Sequence, residues 1–183
     1  MIKRIITCMV TCMLTCTLAV QAATPEEYNK VFNEAIGLCS VYKKKCTIEV
    51  IEHSKMWAQT GAYGKIQVST ELLRQMNEAQ VRGAIFHEVG HAVMEHVETT
   101  SEHIAIKKLN GTFDQEKLYE YMRANEYRAD RFAVLAGFFT FKDVDLKGAL
   151  TILTPPEEYY NQHKTHPSTA DRIKAIDNIF RGF

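Results

Sequence analysis

With one Trp, four Pro and nine Gly in 183 residues, the sequence is too poor in chain-breaking residues for a collagen-like or low-complexity architecture. Neither sign of charge is in excess, since 22 Lys and Arg stand against 22 Asp and Glu. That balance argues against a nucleic-acid binder driven by counterion release and against a polybasic membrane-surface protein. No internal repeat is visible, and beyond residue 22 no apolar run approaches the roughly 18–20 residues of a membrane-spanning helix. What is present is 46% hydrophobic and 24% charged, which excludes disorder and suits one contiguous core. Composition alone names no function.

The first residues are of another kind. Lys3 and Arg4 precede an uncharged stretch from Ile5 to Val20, and Val20-Gln21-Ala22 has the residues of a cleavage site, so residues 1–22 read as a secretory signal peptide. Four Thr and three Cys dilute Ile5–Val20, which at 16 residues is short for a membrane anchor. Met13-Leu14-Thr15-Cys16 matches a lipoprotein box poorly. Removing those 22 residues from 183 leaves 161, with 20 basic residues facing 22 acidic ones, a net charge of −2. Of five cysteines only Cys39 and Cys46 then remain, expected to bridge in an oxidising compartment, the alternative being two separate buried thiols.

Hydrophobic periodicity predicts a helix over Pro25–Ser40, capped by Thr24 and Glu27, with Tyr28, Phe32, Ala35 and Ile36 as its apolar stripe. Alternation predicts strands at Thr47–Ile51 and Lys65–Ser69, the second after a Gly61–Gly64 turn, while the single Trp57 reads as a core residue. Asn77-x-x-Gln80 fits a capping box opening a helix that runs to about Val97. Asn110-Gly111 breaks the chain. A long helix follows from Asp114 to about Phe139, then short ones from Asp143 and from Ser168 to Phe180.

His87-Glu88-Val89-Gly90-His91 lies inside the Asn77 helix. Residues four apart project from one helical face, a spacing that suits two nitrogen ligands of one tetrahedral Zn²⁺. Glu88, about 100° round the helix, does not fall between them but can reach a water beside the metal, where a general base for hydrolysis belongs. The flanking Ala84-Ile85-Phe86, Val89 and Ala92-Val93 mark the helix as buried, and buried imidazoles need partners. A catalytic zinc takes a third protein ligand. Glu126 and Asp130 share a face of the next long helix, among Tyr127, Ala129 and Phe132, and the economical assignment gives Glu126 to the metal and Asp130 to a ligand imidazole. The alternative is an ordinary ion-pair network with Arg123, Arg128 and Arg131. Taken alone, His166 before Pro167 reads as an extended position and Arg172 as a surface charge.

Several segments together resemble the zinc metallopeptidases of the HtpX and CAAX-prenyl-protease type. They are Gly64-x-Ile66-x-Val68, the HEVGH run with His96 five residues beyond it, Glu126-x-x-x-Asp130, and Thr165-His166-Pro167-Ser168-x-x-x-Arg172-Ile173. They span roughly Thr47 to Ile176 in the family's order. The resemblance implies a gluzincin fold with His87, His91 and Glu126 on one zinc, Glu88 as catalytic base and Asp130 behind the ligands. It also implies His166 near the transition-state oxyanion and Arg172 in a buried ion pair with Asp130. His96 reads as structural or peripheral. Two departures stand out: the multiple spans of the family's integral-membrane members are missing, which implies a soluble member, and Met56-Trp57-Ala58 replaces an Asn-Ala-aromatic segment.

The expected fold is therefore α+β, mostly helical, with a small sheet whose edge strand is Lys65–Ser69 packed on the HExxH helix, and residues 23–183 forming one domain. The expected function is an exported, periplasmic zinc endopeptidase acting on unfolded or damaged envelope proteins. A zinc-stabilised chaperone or binding module with an idle site is the competing reading. A latent protease covered by Thr99–Asn110 or Thr154–Lys164 is the third.

Overall fold

The computed structural model of the chain describes residues 21–140, 143–154 and 164–181. Almost all of the leader read at residues 1–22, and most of the Thr154–Lys164 segment, lie outside the described residues. Helix α1 (Pro25–Val41) begins on the expected capping box: the Glu27 amide donates to Thr24 Oγ1 and the Thr24 amide to Glu27 Oε2. Its buried face is Val31, Phe32, Ala35, Leu38 and Cys39, whereas Ile36, read as part of the stripe, is exposed. Cys39 is bridged to Cys46 with a Cα separation of 6.1 Å, closing the turn that leads into the sheet.

The sheet has three strands in the order β1 (Thr47–Ile51), β3 (Lys65–Ser69), β2 (Ala58–Thr60), with β1 parallel and β2 antiparallel to β3. Lys65–Ser69 is thus the central strand, not the edge. Three residues are too few for alternation to reveal β2, yet they suffice to cover the side of β3 that the sequence left open. Centrality explains why Ile66 and Val68 are fully buried. A one-turn 3₁₀ segment (Ala62–Gly64) joins β2 to β3, and the short α2 (Thr70–Gln75) follows on a Ser69 cap.

Helix α3 (Glu78–Val93) is the axis of the molecule, in contact with α1, the sheet, α5 (Gln115–Thr140) and α6 (Leu146–Leu153). Val81, Ile85, Phe86 and Val89 have no exposure, and the Asn77–Gln80 capping box is formed. The helix stops at Val93 rather than continuing to Val97. Glu95 adopts a left-handed conformation (φ 54°), and α4 (His96–Leu109) starts there in a new direction. The last described helix is α7 (Thr169–Arg181). Among the described residues no helix is long and apolar enough to cross a membrane.

Two glycines of α3 set how closely its neighbours approach. A Cβ at Gly83 would lie 2.8 Å from the Leu146 backbone, and one at Gly90 would lie 2.9 Å from Ala129 Cα. The second contact brings α5 against the HEVGH turn. Gly90→Ala is therefore expected to lower unfolding free energy by about 1–2 kcal/mol, backbone overlap outweighing the gain in helix propensity. Gly37→Ala in α1, where a Cβ meets nothing within 4 Å, is expected to stabilise by roughly 0.5–1 kcal/mol. Urea denaturation of the two variants measures both, and equal effects would contradict the packing assignment.

Candidate metal centre

His87 and His91 leave α3 on the face that meets α5, and their Nε2 atoms are 3.1 Å apart. Because Gly90 admits α5 so closely, Glu126, one turn before Ala129, reaches both. Its Oε2 lies 3.5 Å from His87 Nε2 and its Oε1 3.4 Å from His91 Nε2. Tetrahedral ligands at 2.0–2.1 Å from a zinc ion stand about 3.3 Å from one another, so the three donor atoms have the spacing such an ion requires. Among the described residues these three form the one group with metal-binding geometry. Two imidazoles and a carboxylate are also the donor chemistry that suits zinc.

The opposite edge of each ring is engaged too. His87 Nδ1 lies 2.8 Å from Asp130 Oδ1, and His91 Nδ1 lies 2.9 Å from His96 Nδ1. Asp130 is 1% exposed and accepts a forked bond from Arg172, Nε to Oδ2 at 2.8 Å and Nη2 to Oδ1 at 2.6 Å. Arg172 Nη1 also lies 3.4 Å from Glu126 Oε2, and its side chain is only 12% exposed. The surface-charge reading of Arg172 is thus corrected: α7 carries it inward, where it offsets two buried carboxylates. Arg123 and Arg128, the alternative partners read from sequence, turn elsewhere, to the Lys164 carbonyl and to Asn125.

Electrostatics follow from that arrangement. Burial pushes the Glu126 carboxyl up, but bonds from His87 and His91 hold it well below the ordinary range. Asp130 is likewise lowered, burial being outweighed by Arg172 and His87. For His87, burial and Arg172 act downward, yet Asp130 and Glu126 prevail and raise it to about 10. The two carboxylates thus favour the protonated form of His87, and a cation at the three donors would compete with that proton. His96 goes the other way: burial, then His91 and Arg128, bring it down to about 4.

The donors form the floor of a cleft of about 880 Å³. Glu88 lies in its wall with Oε2 2.8 Å from Thr60 Oγ1, a hydroxyl also 2.7 Å from the Glu88 carbonyl. Thr60 ends β2, and its only signal in the sequence is the turn glycine that follows it. His166 also lines the cleft, 43% of its side chain exposed and its Nε2 3.7 Å from Glu126 Oε1. Trp57 is corrected from core to cleft wall: it is half-buried, and its backbone amide donates to Ser69 Oγ. The apolar side of the cleft is built by Ala84 of α3 with Leu146, Leu150 and Leu153 of α6.

Compared with known families, the sequence matches the profile of peptidase family M48 over residues 22–114 and 109–180. No curated protein matches the chain.

With His87 raised to about 10 by its carboxylate partners, and a cation needing that imidazole's lone pair, metal uptake near pH 7 is expected to release about one proton. The sign for stability agrees. The raised folded value makes the contribution of His87 full below pH 6.5 and progressively lost as pH rises through about 10 in the metal-free protein. Calorimetry of zinc binding in buffers of differing ionisation enthalpy counts the proton. A count near zero would contradict the assignment.

Proposed function

The chain belongs to peptidase family M48, and on that premise we propose that it is an exported zinc metalloendopeptidase of the gluzincin type, with one Zn²⁺ held by His87, His91 and Glu126. The observation that carries this reading is the juxtaposition, in one cleft, of a three-donor cluster and the Glu88 carboxylate. Zinc bound there supplies Lewis-acid polarisation of a peptide carbonyl and of the attacking water.

The chain's own residues do the rest. Glu88, steadied by the Thr60 hydroxyl, takes the proton of the attacking water and delivers it to the departing amide nitrogen. His166, exposed at the cleft beside Glu126, donates from Nε2 to the oxyanion that forms on the carbonyl. Asp130 fixes the His87 ring, and Arg172 keeps Asp130 ionised and in place. An extended polypeptide adds to β2, the strand at the sheet edge bordering the cleft, by backbone pairing. Folded proteins rarely present such a segment, which favours unfolded or damaged polypeptides as substrates.

Export is supported by the leader-like residues 1–22, leaving 23–183 as the single peptidase domain. The Cys39–Cys46 bridge suits an oxidising compartment, and the periplasm meets both conditions. Glu88→Gln is expected to retain zinc while the rate of degradation of an unfolded casein-type substrate falls by about 10²–10⁴. Undiminished proteolysis would overturn the mechanism. Stoichiometric zinc with no turnover in the wild type would instead favour a zinc-stabilised binding module.

A further inference from the structure

Helix α4 is poorly anchored for an element that lines a functional cleft. Of its 14 residues only His96 is buried, and Ile106 and Leu109 are 56% and 87% exposed. Its other ties are polar or peripheral: the Tyr63 amide donates to Glu98 at 2.6 Å, the Tyr121 hydroxyl lies 3.2 Å from Thr99 Oγ1, and His103 stacks on Tyr121. Lys44, inside the disulfide-closed turn, pairs with Glu95 just before the helix. Yet Val97, Thr100 and Ser101 of α4 line the cleft. The left-handed turn at Glu95 folds the chain back so that His96 meets the outer edge of His91.

The bond between those two rings depends on what His91 holds at its other nitrogen. Each Nδ1 faces the other, so one ring must donate and the other accept. With nothing bound, the His91 proton lies at Nε2 toward Glu126, so His91 accepts at Nδ1 and His96 donates. Once His91 gives its Nε2 lone pair to a cation, its proton is confined to Nδ1, and His96 must accept there with its own proton on Nε2. The bond thus reverses, now given by a ring whose N–H the bound cation makes a stronger donor, and it falls on the only buried side chain of α4.

We propose that His96 is a positioning residue that couples metal binding to the placement of α4, so that the Val97, Thr100 and Ser101 wall of the cleft becomes ordered when the cation is held. This rests on His87, His91 and Glu126 being the metal site. By linkage the effect is reciprocal: a docked α4 presents the acceptor that orients His91, and so tightens metal binding.

The test is hydrogen–deuterium exchange of the full mature chain with and without zinc, beside a measured zinc dissociation constant. In the wild type, zinc is expected to slow exchange in the first two turns of α4 at least tenfold while α1 changes little. His96→Leu keeps an apolar body but offers no acceptor. It is expected to weaken zinc binding by about 10–100-fold and, at saturating zinc, to lose the added protection of α4. His96→Asn, whose side-chain oxygen falls near the place of Nδ1, is expected to restore both in large part, which a merely space-filling role would not predict. A wild type that binds zinc stoichiometrically with no change in α4 would overturn the inference while leaving the metal site intact, and this comparison needs no variant. A His96→Leu protein with unaltered zinc affinity and α4 response would overturn it too. A wild type that binds no zinc would remove the metal assignment itself.

Discussion

Two carboxylates buried on one face of α5 govern the rest of the molecule. Glu126 and Asp130 lie one turn apart with almost no access to water, and an uncompensated charge at such a depth costs several kcal/mol. The fold answers from both sides. α7 contributes Arg172 as a bidentate partner of Asp130, and α3 contributes the two imidazoles that bracket Glu126. Arg172 alone does not balance two carboxylates, which is why the cluster draws a proton onto His87. A divalent cation between the three donors meets the same electrostatic demand with better geometry. The charge that makes the site expensive to bury also suits it to a divalent cation.

That demand explains a spacing constraint inside the HEVGH run. Gly90 is the point where Ala129 of α5 crosses α3 at backbone distance, and Glu126 reaches the imidazoles because the helices are so close. A larger residue at position 90 would move the third donor outward. The variable positions of the motif are thus not free in this chain. Gly83 plays the matching part on the other side, admitting α6 and with it the apolar wall of the cleft. A substrate would meet charge and hydrogen-bond donors on one side and leucines on the other.

Much of this was legible in the sequence, and what was legible shares a cause. The α3 capping box, the four-residue histidine spacing and the carboxylate pair at 126 and 130 are local patterns, set by helical period alone. The cysteine bridge followed from counting residues outside the leader. What escaped notice depends on contacts distant in sequence. β2 is too short to show alternation, so the pattern alone puts β3 at the edge and Trp57 in the core. The apolar pattern carries through to Val97, so it did not disclose the left-handed break at Glu95 that creates α4. Arg172 in isolation resembles any exposed cation; only family likeness linked it to Asp130, because 42 residues separate the pair.

The central claim is that His87, His91 and Glu126 together hold one metal ion on which the cleft's chemistry depends. Anomalous diffraction at the zinc absorption edge, from crystals of the zinc-loaded chain, tests it most directly. The account predicts a single peak bounded by His87 Nε2, His91 Nε2 and the Glu126 carboxylate. A peak elsewhere, or zinc held without Glu126 among its ligands, would contradict it.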